Sequence, residues 1–318
     1  MKKQIQYLVG IDFGTTQSTA TVFETQTGNP IIILDATAKS SYASILSFER
    51  FENDKETDFG NHIKNGIMNE YVVYEVKRYL GRQYSDLFGE AFYDDATANI
   101  NKDPEDENEE CVFEIPQSNE LLKLKPEEII AIELAHIKKI IKNRCVDCTF
   151  DYVVVTYPSS FSQEQLELLK RAYELADIRV IDTIKEPTAA LLEYKHLQME
   201  ELRKFQHLKQ NENVEEMFQS VQQVPLPLLS QQAQMQQMNQ LNQMQQMQLQ
   251  EKGGRKRQRR DIQEEERIMV IDIGGGTTDV CISIENGRGR SIVKGNVGDG
   301  TIGGKEFDEI MMNIIFEK

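Results

Sequence analysis

A mixed α/β fold of more than one lobe is what this chain predicts, and three observations carry it. Through the middle of the chain, β-branched segments alternate with helical ones, from "KPEEIIAIELAHIKKIIKNR" at residue 125 to "EPTAALLEYKHL" at residue 186, the order that lays helices on a sheet. A strand-turn-strand pattern rich in Gly and Thr occurs twice, as "LVGIDFGTTQSTATVF" (8–23) and "IMVIDIGGGTTDVCIS" (268–283). The 318 residues, 39% of them hydrophobic, supply two or three lobes of about 100 to 200 residues each.

Residues 5 to 48 predict an antiparallel meander. "YLVGIDF", "STATVFE", "PIIILDA" and "SILSFE" are rich in β-branched and aromatic residues and are parted by Gly, Asn and Pro. "NHIKNGIMNEYVVYEVKRYLG", from residue 61, predicts a helix to about residue 80 with Gly81 as its stop. The acidic "DDATANINKDPEDENEE", 94–110, predicts a solvated loop. A helix then starts at Pro126, with acids in its first turn and Lys and Arg in its last, the arrangement the helix dipole favours. Its Ile129, Ile132, Ile137, Ile140 and Ile141 keep the helical period. "YVVVTYP", "SQEQLELLKRAYELAD", "IRVIDTI" and "EPTAALLEYKHL" follow as strand, helix, strand and helix.

Residues 195–266 break this order. "QQAQMQQMNQLNQMQQMQLQ" (231–250) is more than half Gln, with apolar residues at every third position from Met235 to Met247. That spacing drifts round a helix of 3.6 residues per turn and lays no straight stripe, so a free helix or disordered tract is expected rather than a core element. "KGGRKRQRR" (252–260) reads either as a nuclear-localisation or polyanion-binding segment or as a solvated charge run, partly neutralised by Glu264, Glu265 and Glu266. The expected organisation is a first lobe at 1–194, a Gln-rich low-complexity insert with its basic cluster at 195–266, and the start of a second lobe at 267–318.

Composition narrows the function. The 52 acidic against 36 basic residues give a net charge of -16, which opposes a nucleic-acid partner held by its phosphates. Four scattered cysteines, Cys111, Cys145, Cys148 and Cys281, make no disulfide framework. Cys145 and Cys148 form a lone C-x-x-C without the second ligand pair of a zinc site, so it reads as structural. The N-terminal "MKKQIQYLVG" has no signal-peptide core, and no apolar run approaches the ~20 residues of a membrane span. A cytoplasmic protein is expected, with a nuclear one left open by the basic cluster.

The two hairpins carry the chemistry. In "DFGTT" and "DIGGGTT", Gly lets backbone amides approach a polyanion and Thr adds hydroxyl donors. The Asp that ends each first strand suits Mg²⁺, which binds phosphates with one or two carboxylates and keeps its waters. Two such turns of one layout suggest a duplicated lobe with phosphate in the cleft between. In "KEPTAALL" (185–192) Pro187 starts a helix directly behind a strand, and its free amides face the strand ends where ligands of α/β sheets lie. Glu186 sits there, either as a holder of metal-bound water or as an ordinary acid of a helix start.

"VGIDFGTTQS", "EVKRYLGR", "VVVTYPSSFSQEQ", "IKEPTAALLEY", "VIDIGGGTTDV" and "VGDGTIGGKEFD" resemble, in order, the motifs of the heat shock protein 70 (DnaK-like) chaperones, members of the actin/hexokinase superfamily of ATPases. The resemblance implies actin-like ATPase (ribonuclease H-like) lobes, the first complete and the second partial, with ATP or ADP, Mg²⁺ and K⁺ as ligands. It implies that Asp12 holds Mg²⁺ through waters, that Gly14, Thr15 and Thr16 line the phosphates from one side, and that Gly274, Gly275, Gly276 and Thr277 line them from the other. By the same resemblance Lys77 orients the attacking water, and Glu186 and Asp272 position Mg²⁺ waters and assist the nucleophile. Asp279 matches a position near a monovalent cation, and Gly298, Gly303 and Gly304 match a later phosphate-side loop.

The chain also departs from that pattern. It ends at Lys318, before the adenosine-binding part and the peptide-binding β-sandwich that the family carries. Leu166 stands where the family has an Arg of interdomain relay, while Pro158, its switch proline, is kept. The Gln-rich insert falls where the family has a short crossing, and closure entropy grows slowly enough with length for a fold to accept it. The expected function is that of an ATP-hydrolysing domain of a chaperone, with unfolded clients and co-chaperones as partners. The alternatives are a non-hydrolysing module of binding or assembly working through its Gln-rich arm, and an actin-like filament protein.

Overall fold

The computed structural model describes residues 7–49, 56–63, 69–90, 93, 96–103, 109–118, 120–210, 265–285 and 291–316. The Gln-rich tract and the basic cluster lie outside the described residues. The chain divides into two units, Met1–Leu191 with Arg267–Ile284 and Ser291–Lys318, and Leu192–Glu266 with Glu285–Arg290. Both glycine turns belong to the first.

The first unit is organised by a six-stranded sheet. β1 (Tyr7–Asp12), β2 (Gln17–Glu24) and β3 (Asn29–Ile32) run antiparallel, and β4 (Ser41–Ala43) adds to β2. On the other side of β1 lie β11 (Val153–Tyr157) and then β12 (Val180–Lys185), both parallel. The expected strands "YLVGIDF", "STATVFE", "YVVVTYP" and "IRVIDTI" therefore all enter one sheet. Alternation sorts β2, whose Ser18, Ala20 and Val22 are buried, as the two-residue period of a strand requires.

Three smaller sheets accompany it. β5 (Ile45–Ser47) pairs with β6 (Asp58–Phe59) and β7 (Val72–Tyr74). β8 (Asn99–Lys102), β9 (Cys111–Pro116) and β10 (Leu121–Leu124) form an antiparallel set. β13 (Glu266–Ile273), β14 (Thr278–Glu285) and β15 (Ser291–Asp299) form the third, in that order.

Two helices pack on the large sheet. α1 (Pro126–Arg144) buries Ile129, Ile130, Leu134, Ile137 and Ile141 completely, with Ile132 and Ile140 packed at the margin of the same core. The Lys125 amide donates to Glu128 Oε2 at 2.8 Å ahead of Pro126. At the other end the Arg144 guanidinium donates to the carbonyls of Leu34 and Asp35. α2 (Gln163–Leu175) opens on a reciprocal cap: Ser162 Oγ accepts from the Gln165 amide at 3.1 Å, and Gln165 Oε1 accepts from the Ser162 amide at 3.0 Å. Leu166 is buried in this helix, where an apolar side chain is at home. α3 (Glu186–Gln210) leaves the end of β12, and α4 (Gly304–Phe316) follows β15.

The expected helix over 61–80 does not run through the described residues 69–80. Among the described residues of that stretch, Val72–Tyr74 make β7 and Val76–Arg78 a single 3₁₀ turn. The β-branched pair Val72 and Val73 gains a ladder with β5 that helical propensity does not match. Glu75 then takes the left-handed conformation, φ 56°, which interrupts a right-handed helix. The expected loop at 94–110 likewise contains β8, anchored by the buried Ala98 and Ile100. All four cysteines are free, with Cys148 buried in the main core. Among the described residues no helix is long and apolar enough to cross a membrane.

Candidate functional site

The 3₁₀ turn that replaces the expected helix aims its lysine inward. Lys77 is buried, and its Nζ donates to the Phe13 carbonyl at 2.6 Å and to Glu186 Oε1 at 2.7 Å, with the Phe161 ring 5.6 Å away. Phe13 belongs to the first glycine turn and Glu186 opens α3, so one ammonium ties the turn to the helix start. Asp12, at the end of β1, accepts from Thr156 Oγ1 of β11 at 2.5 Å. Parallel pairing of these strands brings both side chains to the same sheet end.

The second turn closes over the first. Its Gly274 amide donates to the Thr277 carbonyl at 2.8 Å, which makes a tight reversal between β13 and β14. A Cβ on Gly275 would overlap the Thr16 side chain, so the two turns approach as closely as they do only because that position is glycine. Together Asp12, Gly14, Thr15, Thr16, Gln17, Lys77, Glu186, Asp272, Gly274, Gly275 and Thr277 line one cleft of about 180 Å³.

The remaining expected residues sit beside the cleft rather than on its wall. Gly304 donates its amide to the Gly274 carbonyl at 2.8 Å, and the Gly303 amide donates to Glu306 Oε2 at 2.7 Å, so these two back the second turn from outside. Gly276 is packed against the Arg78 guanidinium. Asp279 is buried, accepts from the Ser159 amide at 2.8 Å, and has Gly298 against its carboxylate. Its second oxygen has no hydrogen-bond partner among the described residues.

Carboxylates outnumber cations in the cleft, and their titration reflects it. Burial pushes the Glu186 carboxyl above its ordinary value, Lys77 pulls it back, and Asp12 adds repulsion. Burial also raises Asp272, with Asp12 and Asp279 acting in the same sense. Such a surplus of negative charge favours a divalent cation. Among the described residues no three His, Cys, Asp or Glu side chains converge at direct-ligation distance. Asp12 and Asp272 both line the cleft and are the carboxylates that could hold such a cation there.

A family model described as "Hsp70 protein" matches residues 8–204 and 252–318, most of the chain. The chain belongs to the Hsp70 family. The Hsp70 match spans both glycine turns and the 3₁₀ turn between them, and leaves out residues 205–251. Among curated proteins, "Chaperone protein dnaK3" of Thermosynechococcus vestitus is 26% identical over 98% of this chain and 34% of its own length. "Chaperone protein DnaK" of Mycoplasmopsis agalactiae is 25% identical over 97% of this chain and 34% of its own. The chain thus spans about a third of the length of the Hsp70 relatives it matches. The matched third corresponds to a chaperone-type nucleotide-binding domain.

Sequence reasoning missed Arg78, Glu75 and Glu306. Arg78 lies inside the quoted "EVKRYLGR", yet a helix across 61–80 gave no reason to send adjacent Lys77 and Arg78 to different partners. The available signal was the strand-forming "YVVY" directly before it.

Proposed function

We propose that the cleft binds the phosphates of a nucleoside triphosphate with Mg²⁺ and that the chain hydrolyses ATP to ADP and phosphate. The observation that supports this most is the meeting of two Gly/Thr turns over the buried Lys77–Glu186 pair. A cavity of about 180 Å³ is smaller than the roughly 300 Å³ at which whole-ligand pockets begin, which suits a polyphosphate tail.

Mg²⁺, when bound, neutralises charge on the phosphate oxygens. Asp12 and Asp272 would hold it through its waters, and Asp279, one of whose oxygens has no hydrogen-bond partner among the described residues, would accommodate a monovalent cation such as K⁺. Gly14, Thr15 and Thr16 would present donors from the first turn and Gly275 and Thr277 from the second, where the Gly274 amide closes the turn on the Thr277 carbonyl and Gly276 packs on Arg78 beside the cleft. Gly303 and Gly304 keep the second turn in place from behind. Lys77 would orient the attacking water and balance the charge of the terminal phosphate, while Glu186 and Asp272 would position waters of the cation and assist the nucleophile. Positioning and charge stabilisation are most of what phosphoryl transfer asks of a protein.

Chaperone activity, the ATP-driven cycling of unfolded clients with co-chaperones, rests on the family and on the names of the two relatives. The division into a first lobe at 1–194, an insert at 195–266 and the start of a second lobe at 267–318 is carried forward with it. The reading of a binding module working through a Gln-rich arm rests on residues outside those described. Single-turnover hydrolysis of MgATP by the whole chain, Lys77→Ala and Asp272→Asn tests the assignment. Both variants are expected to fall by about 100-fold or more, the scale of losing one charge-stabilising group; equal rates in all three sink it.

A further inference from the structure

The 3₁₀ turn Val76–Arg78 serves two masters. Lys77 reaches the first glycine turn at the Phe13 carbonyl, whereas the next residue, Arg78, reaches the second. The Arg78 side chain is 1% exposed. Its Nη1 donates to Glu306 Oε1 of α4 at 2.8 Å, its Nη2 to the Gly275 carbonyl at 3.4 Å, and its Nε lies 3.0 Å from Glu75 Oε2. Two nitrogens of the guanidinium thus donate to two other elements while the third lies beside Glu75, which opens the same turn, a division that the planar fork of Arg makes and an ammonium does not.

Glu306 completes the bridge. One of its oxygens takes Arg78 and the other takes the Gly303 amide at 2.7 Å. The Lys305 amide donates to the same Gly275 carbonyl at 3.1 Å. The start of α4 and the second turn are therefore held as one piece, and Arg78 fastens that piece to the turn that carries Lys77. Glu75 supports the arrangement from a left-handed backbone, φ 56°. A non-glycine residue persists there only where its surroundings over-determine it, and here the surroundings are Arg78 and, at 3.7 Å, Lys305 Nζ. Arg78 does not line the cleft, so it acts through Gly275 and Glu306.

We propose that Arg78 is a positioning residue, a clasp that holds the Gly274–Gly276 turn over the first turn through Glu306 and the Gly275 carbonyl, and whose release opens the phosphate cleft. The inference rests on the nucleotide reading of that cleft but is tested separately from it. A closed clasp keeps the second set of amides in register with the first, and an open one lets phosphate leave. Breaking one side strands a buried charge, so either partner alone is enough to open it.

The experiment is amide hydrogen exchange on the full chain without nucleotide, for the native protein, Arg78→Met, Arg78→Lys and Glu306→Gln, paired with release of a fluorescent N-methylanthraniloyl ADP with Mg²⁺. Exchange across 272–278 and 303–305 is expected to quicken by about tenfold or more in Arg78→Met and Glu306→Gln, the scale of a lost hydrogen bond to a charged group. Exchange within α1 stays at the native rate, which separates clasp opening from general unfolding. Arg78→Lys, which keeps the charge without the fork, recovers part of the effect, and ADP release accelerates in the same order. Unchanged exchange in 272–278 for both Arg78→Met and Glu306→Gln overturns the clasp. Faster exchange in a chain whose native form binds no nucleotide upholds the clasp and overturns the nucleotide reading instead.

Discussion

Lys77 and Glu186 stand 109 residues apart in sequence and meet at 2.7 Å, with side chains 3% and 13% exposed. One comes from a 3₁₀ turn after β7 and the other from the first residue of α3. Removing one member of a buried pair leaves the other charge uncompensated. Glu186→Gln is therefore expected to lower stability by about 1 to 3 kcal/mol, the cost of an unsatisfied buried group, measured by the urea midpoint at pH 7. It is also expected to slow ATP hydrolysis more than it weakens ATP binding, read as kcat against KM.

Burial raises both Glu186 and Asp272, so each ionises only at a pH higher than an ordinary carboxylate needs. A divalent cation needs these carboxylates ionised, so Mg²⁺ binding by the nucleotide-free native chain should weaken on the acid side earlier than ordinary carboxylates would make it. Calorimetric titration of Mg²⁺ across pH for the native chain and Asp272→Asn checks this, and the variant is expected to lose its share of the acid limb.

Glu133 offers a stability prediction away from the cleft. It is 1% exposed in the middle of α1, neither oxygen has a hydrogen-bond partner among the described residues, and burial pushes its carboxyl up to about 8. The folded state keeps the proton that the unfolded chain loses near 4.5. The group's contribution is thus intact below about pH 4.5 and drains away as pH rises through the folded value, at up to about 1.4 kcal/mol per pH unit. Urea midpoints from roughly pH 5 to 8 should decline in the native chain, and Glu133→Gln, which cannot ionise, should remove that part of the decline.

The close approach of the turns has its own test. Gly275→Ala drives a methyl into Thr16 and should cost about 1 to 3 kcal/mol. Thr16→Ala removes the two nearest obstructing atoms and leaves its Cβ 2.8 Å from the added methyl, so the double variant is expected to recover part of the loss. Additive losses in a double-mutant cycle would show that the turns do not touch there.

Residues 205–251 lie outside the family match. Deleting 212–250 should leave the thermal midpoint within about 2 °C of the native chain, less than a loss of 1 kcal/mol produces in a domain of this size. A large fall would show that the segment contributes to the core.

These elements differ in how legible they were. β1, β2 and α1 announce themselves because their information is local: alternation in "STATVF", the repeating Ile and the Pro and acids at the start of α1. The residues Asp12, Thr15, Thr16, Lys77, Glu186, Asp272, Gly274, Gly275 and Thr277, grouped by motif, also share one cleft. The stretch 61–80 was misread because its outcome is decided elsewhere, by pairing of Val72–Tyr74 with β5 and by a left-handed Glu75. Ile100 pairs with Phe113 through an acidic run that hides the strand. Glu133 interrupts an apolar face, and no local rule marks a carboxylate as buried. Arg78 was overlooked because its partners, Gly275 and Glu306, lie 197 and 228 residues away.

The central claim is that the two glycine turns grip one polyphosphate, and calorimetric titration of the native chain and Gly275→Val with Mg²⁺ tripolyphosphate addresses it directly. We expect saturable one-to-one binding by the native chain, competed by MgATP, and at least about tenfold weaker binding by Gly275→Val, whose side chain intrudes on Thr16. Equal affinities in the two chains, or heat in neither, would contradict it.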